Sequence, residues 1–467
     1  MNKDTIALVM NKSAELLAKA GIRVDDAEII AQLAEKGFDV DKSTRMVKIP
    51  VPLLEKLLAD APGTIKLYYR DLERNVEVGA EKTLFTPSGF GAAVLDRVTG
   101  ERRPSTSKDV EEFVTVQNYL PNIDIVGLMV TATEVPAEVA DFVEFYQLLR
   151  CTDKPFLFKA VDEGSADMIM EMAGATVGGV DKLREKPIFC SMFCPTSPLL
   201  YSSETIRSML KLASYGTPII AHAMTMGGAT APVTVLGQIV QTNAEIIAGI
   251  AIVQAFYPGH PTFYGTSSSV MDMKAIVLSL GAPERPLINE ACALVAKAYN
   301  LPSNIAGFSS DSKSFDEQIT FEKVLTAMPL MNKASIVFGL GGMDSGNSFS
   351  LLQLIIDDSI AGAIRRYHDF SYGDNIDEEM EILINDGPDA IFLNHKHTYR
   401  NYKNYWRADF FTRLPYGKWK KTGESIEKMA AGTCENYLAK GISFMDSKTA
   451  EKLQNLYEEC MRKSSLH

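Results

Sequence analysis

The sequence predicts an α/β protein built on a closed (β/α)8 TIM-type barrel, with an N-terminal helical and small β accessory region and a C-terminal helical extension. Three observations carry that expectation. From residue 119 onward, short continuous apolar runs alternate with helical patterns. Strands apolar on both faces and divided by helices belong to a parallel sheet covered by helices. Eight such runs can be counted, the number that closes a barrel, with an open doubly wound sheet as the alternative. Finally, polar and glycine-rich clusters follow several runs, and these folds place their chemistry just past the carboxyl ends of strands.

Taken in order, residues 4–20 show helical spacing through Ile6, Val9, Met10, Leu16 and Leu17, and Gly21 ends that helix. A second helix, 25–36, stops at Gly37, and a third, 52–61, lies between Pro50 and Pro62. Residues 65–69, 75–78 and 83–86 alternate as strands of a small antiparallel element. Residues 96–103 read as a hairpin, and a helix over 105–118 takes Ser107 as its cap. This region, 1–118, precedes a barrel over 119–395. Its expected strands are 123–130, 155–160, 188–194, 218–223, 261–267, 304–310, 335–342 and 390–395. The charged, helical stretch 396–467 is expected to pack outside.

Composition narrows the function classes. With 46% hydrophobic and 23% charged residues, the chain is expected to fold as a soluble globular protein with a full core. A net charge of -12 argues against a nucleic-acid or anionic-membrane surface. The six cysteines are scattered, mostly in apolar segments, and Cys190 and Cys194 lack a second pair to complete a zinc site. Free thiols in a reducing compartment are the expectation. The N-terminus carries no apolar signal region and no run of about 18 apolar residues appears, so a cytoplasmic location is expected. A homo-oligomer is common for enzymes of this size.

The expected strand ends carry Met129, Thr131, Lys159, Thr196, His222, Thr225, Gly227, Tyr264, Ser267, residues 308–313, 339–347, His395 and His397. Closely grouped carboxylates are scarce in that set, which disfavours paired-carboxylate chemistry. Three other chemistries need weighing. His395 and His397 form a His-x-His pair, but it follows the last expected strand, and His222 alone could join it. Lys313 could form a Schiff base, which requires a desolvated amine, whereas neighbouring Asp311 favours its charged form. The glycine loop 339–346 could cradle phosphate, but it contains Asp344.

The stretch 307–323 is the densest of these clusters, with Ser309, Ser310, Asp311 and Lys313 at a strand end and Glu317 and Glu322 opening a helix. Together with 232–245, 257–265, the pair Asp357–Asp358, residues 397–400 and 95–105, it resembles the trimethylamine methyltransferase superfamily. The matching segments span most of the chain in order. Founding members of that family carry pyrrolysine in the barrel, whereas this chain contains ordinary residues only, and the loop after the sixth expected strand is the corresponding place. The resemblance therefore implies the non-pyrrolysine branch, similar to glycine betaine, proline betaine and carnitine methyltransferases. These pass one methyl group from a quaternary amine to the cobalt of a separate corrinoid protein.

A site of that kind holds a quaternary cation on aromatic faces, and Phe90, Tyr264 and Phe308 are the cage candidates. Thr225, Gly227, Ser267 and Lys313 are candidates for a substrate carboxylate. Asp311 and Lys313 flank the presumed methyl donor as catalytic candidates. No Asp-x-His-x-x-Gly cobalamin signature is present, so the chain itself is expected to bind no cofactor and no metal. The corrinoid would then arrive on its partner, facing His395, His397, Gly341, Gly342 and Asp344. A barrel lyase or aldolase using Lys313 and a non-catalytic betaine-binding protein are the competing readings.

Overall fold

The computed structural model describes residues 1–79, 81–372, 376–408, 410–423, 425–441 and 444–464. Its centre is a parallel sheet of eight short strands. These are β1 (Leu84–Thr86), β2 (Val126–Gly127), β3 (Phe156–Phe158), β4 (Phe189–Phe193), β5 (Ile219–Ala223), β6 (Thr262–Thr266), β7 (Ser303–Ala306) and β8 (Ile336–Phe338). Each strand from β2 to β8 pairs with the next, and β8 pairs with β1. The barrel closes between β1 and β2 through backbone bonds. Asp124 N donates to Phe85 O at 3.0 Å, Gly89 N to Leu128 O at 3.2 Å and Gly91 N to Met129 O at 2.9 Å. The seam is tight: a Cβ on Gly127 would sit 1.4 Å from Pro87 O, so only glycine fits there.

Seven of the eight expected strands lie in this barrel. The eighth, 390–395, does not. Residues Phe392–Asn394 form a single 3-10 turn, and Ile391, Phe392 and Leu393 are exposed. An apolar run without a buried partner surface has no ladder to join. The missing strand is instead 84–86, expected in the antiparallel element, where Leu84 N bonds Ser335 O at 2.9 Å. The barrel sheet therefore begins before residue 119 and ends at Phe338. The 107–119 helix is capped by Thr106, not Ser107, because Thr106 and Asp109 form a reciprocal capping box.

Two cores organise the molecule. The larger lies between the barrel and its surrounding helices. The smaller fills the barrel interior and includes Leu84, Leu157, Cys190, Ile220, Phe263 and Ile336. Ile65, Leu67 and Val78 of the hairpin Ile65–Tyr68/Asn75–Val78 join this inner core. Tyr68 N bonds Pro187 O at 2.8 Å and Arg70 N bonds Asp153 O at 2.9 Å, both acceptors preceding strands. The hairpin thus plugs the amino-terminal mouth of the barrel, and a ligand must enter from the carboxyl-terminal face.

Among the described residues one helix, Val235–Phe256, is long and apolar enough to cross a membrane. It is a core helix, mostly buried, and packs on β5, β6 and the N-terminal helices Lys3–Lys19 and Val51–Asp60.

Candidate active site

Inward and outward side chains alternate along each strand. Continuing the inward phase of the inner core by two or four residues gives Ser88, Lys159, Cys194, His222, Ser267 and Phe338. All six line one cavity of about 910 Å³. Ala306 at the end of β7, and Phe308 and Ser310 in the loop that follows, also border it.

The lining is rich in aromatic residues, Phe90, Phe338 and Phe349, with Phe308 fully buried beside them. Phe90 and Phe308 have φ of 54° and 44°, in the left-handed region that bulky residues avoid at a cost of about 1–2 kcal/mol. Their surroundings enforce it. The seam bonds of Gly89 and Gly91 bracket Phe90. Around Phe308, Gly307 N donates to Phe338 O at 2.8 Å, Ser309 N to Thr326 Oγ1 at 2.9 Å and Lys323 Nζ to the Phe308 carbonyl at 2.9 Å. The Phe308 ring stands edge-on to Phe85, centroids 5.5 Å apart. Phe349 lies directly over the turn 86–91, where a Cβ on Gly89 would come within 1.9 Å of its ring. Those glycines serve close packing of an aromatic ring.

Polar groups gather from β3, β5 and β6. His222 Nε2 lies 2.9 Å from Ser267 Oγ, and its ring meets Phe338 across the barrel with centroids 5.7 Å apart. Burial, aided by the charge of Arg285, pushes the His222 pKa down to about 3, so the ring is neutral at physiological pH. Lys159 is held by Asp141 and Glu144, both at 2.8 Å. Burial opposes its charge, but the two carboxylates outweigh that and raise its pKa. Arg285 opens the helix Glu284–Ala298 and is almost fully buried at the cavity wall.

The neutral histidine gives a pH prediction. Its folded pKa lies below the value of 6.5 it has when unfolded, so the unfolded chain takes up a proton here first as pH falls. Stability attributable to His222 is thus intact above pH 6.5 and is withdrawn as pH drops toward 3. Between pH 7 and pH 5 this amounts to about 2 kcal/mol. Denaturant unfolding at both pH values should show wild type losing about that much more than His222→Asn.

The expected site residues divide clearly. Phe90, Phe308, Ser267, Lys313, Gly342 and Asp344 line the cavity. Tyr264 does not: it is one residue out of phase, points outward, and its hydroxyl donates to Asn243 at 3.1 Å. Thr225 is buried behind the wall on Thr242, Ser268 and Gln238, and Gly227 packs against the Gln238 side chain. Gly341 faces Met129 and Leu354. His395 and His397 lie outside the cavity on the C-terminal extension, beside Asp386 and Glu379. Among the described residues no three His, Cys, Asp or Glu side chains gather as a metal site.

Asp311 is a brace. It accepts from Ser279 Oγ at 2.5 Å, Leu280 N at 2.6 Å and Ser345 Oγ at 2.7 Å, tying together the loops after β6, β7 and β8. Burial raises its pKa, but these donors outweigh it and hold the carboxyl below the ordinary range. Lys313 is 68% exposed and lies 2.5 Å from the Asp311 carbonyl and 3.6 Å from Asp344. An exposed, hydrogen-bonded ammonium is not the desolvated amine that Schiff-base chemistry requires. Arg285 lay outside the sequence expectation because it follows no strand directly; only the fold brings it beside Ser267.

A barrel plugged below and open above to a cavity with an aromatic and a polar wall defines an enzyme acting on a small molecule with both apolar and polar parts. The chain belongs to the trimethylamine methyltransferase family, whose sequence model (MTTB) matches residues 1–464. Among its relatives is the trimethylamine methyltransferase MttB of Desulfitobacterium hafniense strain DSM 10664 / DCB-2, 29% identical over 97% of this chain and 92% of the relative. The glycine betaine methyltransferase of Desulfitobacterium hafniense strain Y51 is 28% identical over 97% and 95%. The trimethylamine methyltransferase MttB of Methanosarcina barkeri strain Fusaro is 33% identical over 78% and 74%. In three dimensions the chain is similar to the monomethylamine methyltransferase MtmB of Methanosarcina barkeri. The TM-score is 0.55 at 12% identity, over 95% of this chain and 89% of that one, a likeness of fold.

Proposed function

We propose that this protein moves one methyl group from a carboxylated quaternary amine, of the glycine betaine, proline betaine or carnitine type, to the cobalt of a corrinoid carried by a separate protein. The observation that carries this reading is the aromatic lining at the open end of the barrel, from Phe90, Phe338 and Phe349. Quaternary ammonium is held by aromatic faces, each worth roughly 0.5–2 kcal/mol. The methyl group leaves a nitrogen that already bears its positive charge, and the electron pair of the broken C–N bond stays on that nitrogen. The product is a neutral tertiary amine, so no acid is needed for the leaving group. The work of the site is positioning and exclusion of water. Neutral His222 suits it, since an imidazolium would repel the substrate cation.

Family membership and the glycine betaine methyltransferase relative support this substrate class. The chain consists of ordinary residues throughout, with no pyrrolysine, which favours a donor that needs no activation. Gly342 and Asp344, in the loop that lines the cavity mouth after β8, are the residues proposed to face the incoming partner. The chain itself is proposed to carry no cofactor and to work in the cytoplasm. Mixing it with a reduced corrinoid protein and substrate should release one tertiary amine per acceptor consumed. Amine release without the corrinoid protein would exclude this reaction.

A further inference from the structure

Three cations line the cavity, and they differ in one respect. Lys159 is clamped between Asp141 and Glu144. Lys313 is exposed and lies close to Asp344. Arg285 is 2% exposed and has no ion-pair partner among the described residues. Its Nη1 donates to the Ser267 carbonyl at 2.9 Å, and its buried Nε finds no acceptor. The carboxylate nearest in charge, Asp311, is already taken by Ser279, Ser345 and Leu280 N. Burial lowers the arginine pKa only to about 10, so the guanidinium keeps its charge.

A buried, fully charged guanidinium with donors to spare is costly unless an anion completes it. Its planar donor fork matches a carboxylate in particular. We infer that Arg285 is the anchor for the carboxylate of the substrate, fixing it at the β6 side of the cavity near Ser267 while the phenylalanine wall receives the ammonium end. This deepens the quaternary-amine reading and rests on it for the cationic end of the ligand. It replaces Thr225 and Gly227, which the fold hides, with a residue that reaches the cavity.

The test is calorimetry on the full chain. Probes are glycine betaine, proline betaine, carnitine, choline and butyrate, against wild type, Arg285→Gln and Arg285→Lys. A carboxylated quaternary amine should bind wild type more tightly than choline. Arg285→Gln should weaken that binding about 100-fold while changing choline binding little, and Arg285→Lys should recover part of the loss. No loss, equal losses for both ligand types, or tighter choline binding by wild type would overturn the anchor and leave the quaternary-amine reading standing. Butyrate binding that Arg285→Gln abolishes, with no quaternary amine bound, would keep the anchor and remove that reading. Failure of wild type to bind any probe would overturn both. Ligand-free Arg285→Gln should melt no lower than wild type, because the substitution removes an uncompensated buried charge. A lower melting point would make Arg285 a structural brace and end the proposal.

Discussion

Asp357→Ala is expected to cost about 3–5 kcal/mol of stability, the largest effect of any single substitution considered. Asp357 and Lys323 are both fully buried, with Nζ and Oδ2 2.7 Å apart. Burial pushes the lysine pKa down and the carboxyl pKa up, against their mutual attraction. The pair does more than neutralise itself. Lys323 Nζ also donates to the Phe308 carbonyl, and Asp357 accepts from Gly341 N at 2.7 Å and Gln353 Nε2 at 2.7 Å. It therefore fastens the strained Phe308 and the glycine loop after β8 to the barrel. Removing one partner leaves a buried charge without its counter-ion. Replacing both, as Lys323→Met with Asp357→Leu, should recover most of the lost stability. Denaturant unfolding of wild type, Lys323→Met, Asp357→Leu and the double variant checks this, and strictly additive losses would mean the two groups do not act as a pair.

Phe90→Ala should raise the apparent KM for the quaternary amine by about 10–30-fold, from the loss of roughly 2 kcal/mol at a ring that lines the cavity and is only partly buried. Phe90→Tyr should stay within a few-fold of wild type, because the face survives. Steady-state kinetics on the three proteins separate this from simple packing damage. If Phe90→Tyr is as impaired as Phe90→Ala, the ring serves shape and not cation binding.

Much of the barrel was legible in the sequence because buried parallel strands leave continuous apolar runs. Seven of eight strands show this signal. The eighth was misplaced for a physical reason: Leu84–Thr86 is only three residues long and directly follows an alternating hairpin, so it reads as part of that hairpin. Residues 390–395 carry an apolar run as good as many strands, and nothing local says that it lies at the surface. At the site, the inward phase was the decisive variable. Ser267 is in phase with the inner core and faces the cavity, whereas Tyr264 is off by one and faces a helix, and the left-handed backbone at Phe308 turns its ring onto Phe85 in the outer core. That phase can be read from the strands themselves once Phe263 is taken as the inward residue. Arg285 has no such signature, since its role depends on a helix start being folded against β6.

The central claim is that this site handles a permanently charged methyl donor and not a neutral amine. The most direct measurement is methyl transfer by the unmodified chain to a reduced corrinoid protein, with glycine betaine, proline betaine, carnitine, trimethylamine and dimethylamine assayed side by side. A carboxylated quaternary amine should lose one methyl group only, with its tertiary product and both simple amines inert. Efficient demethylation of trimethylamine, with the betaines untouched, would contradict the account, since a site built from phenylalanine faces has no means of activating a nitrogen that keeps its lone pair.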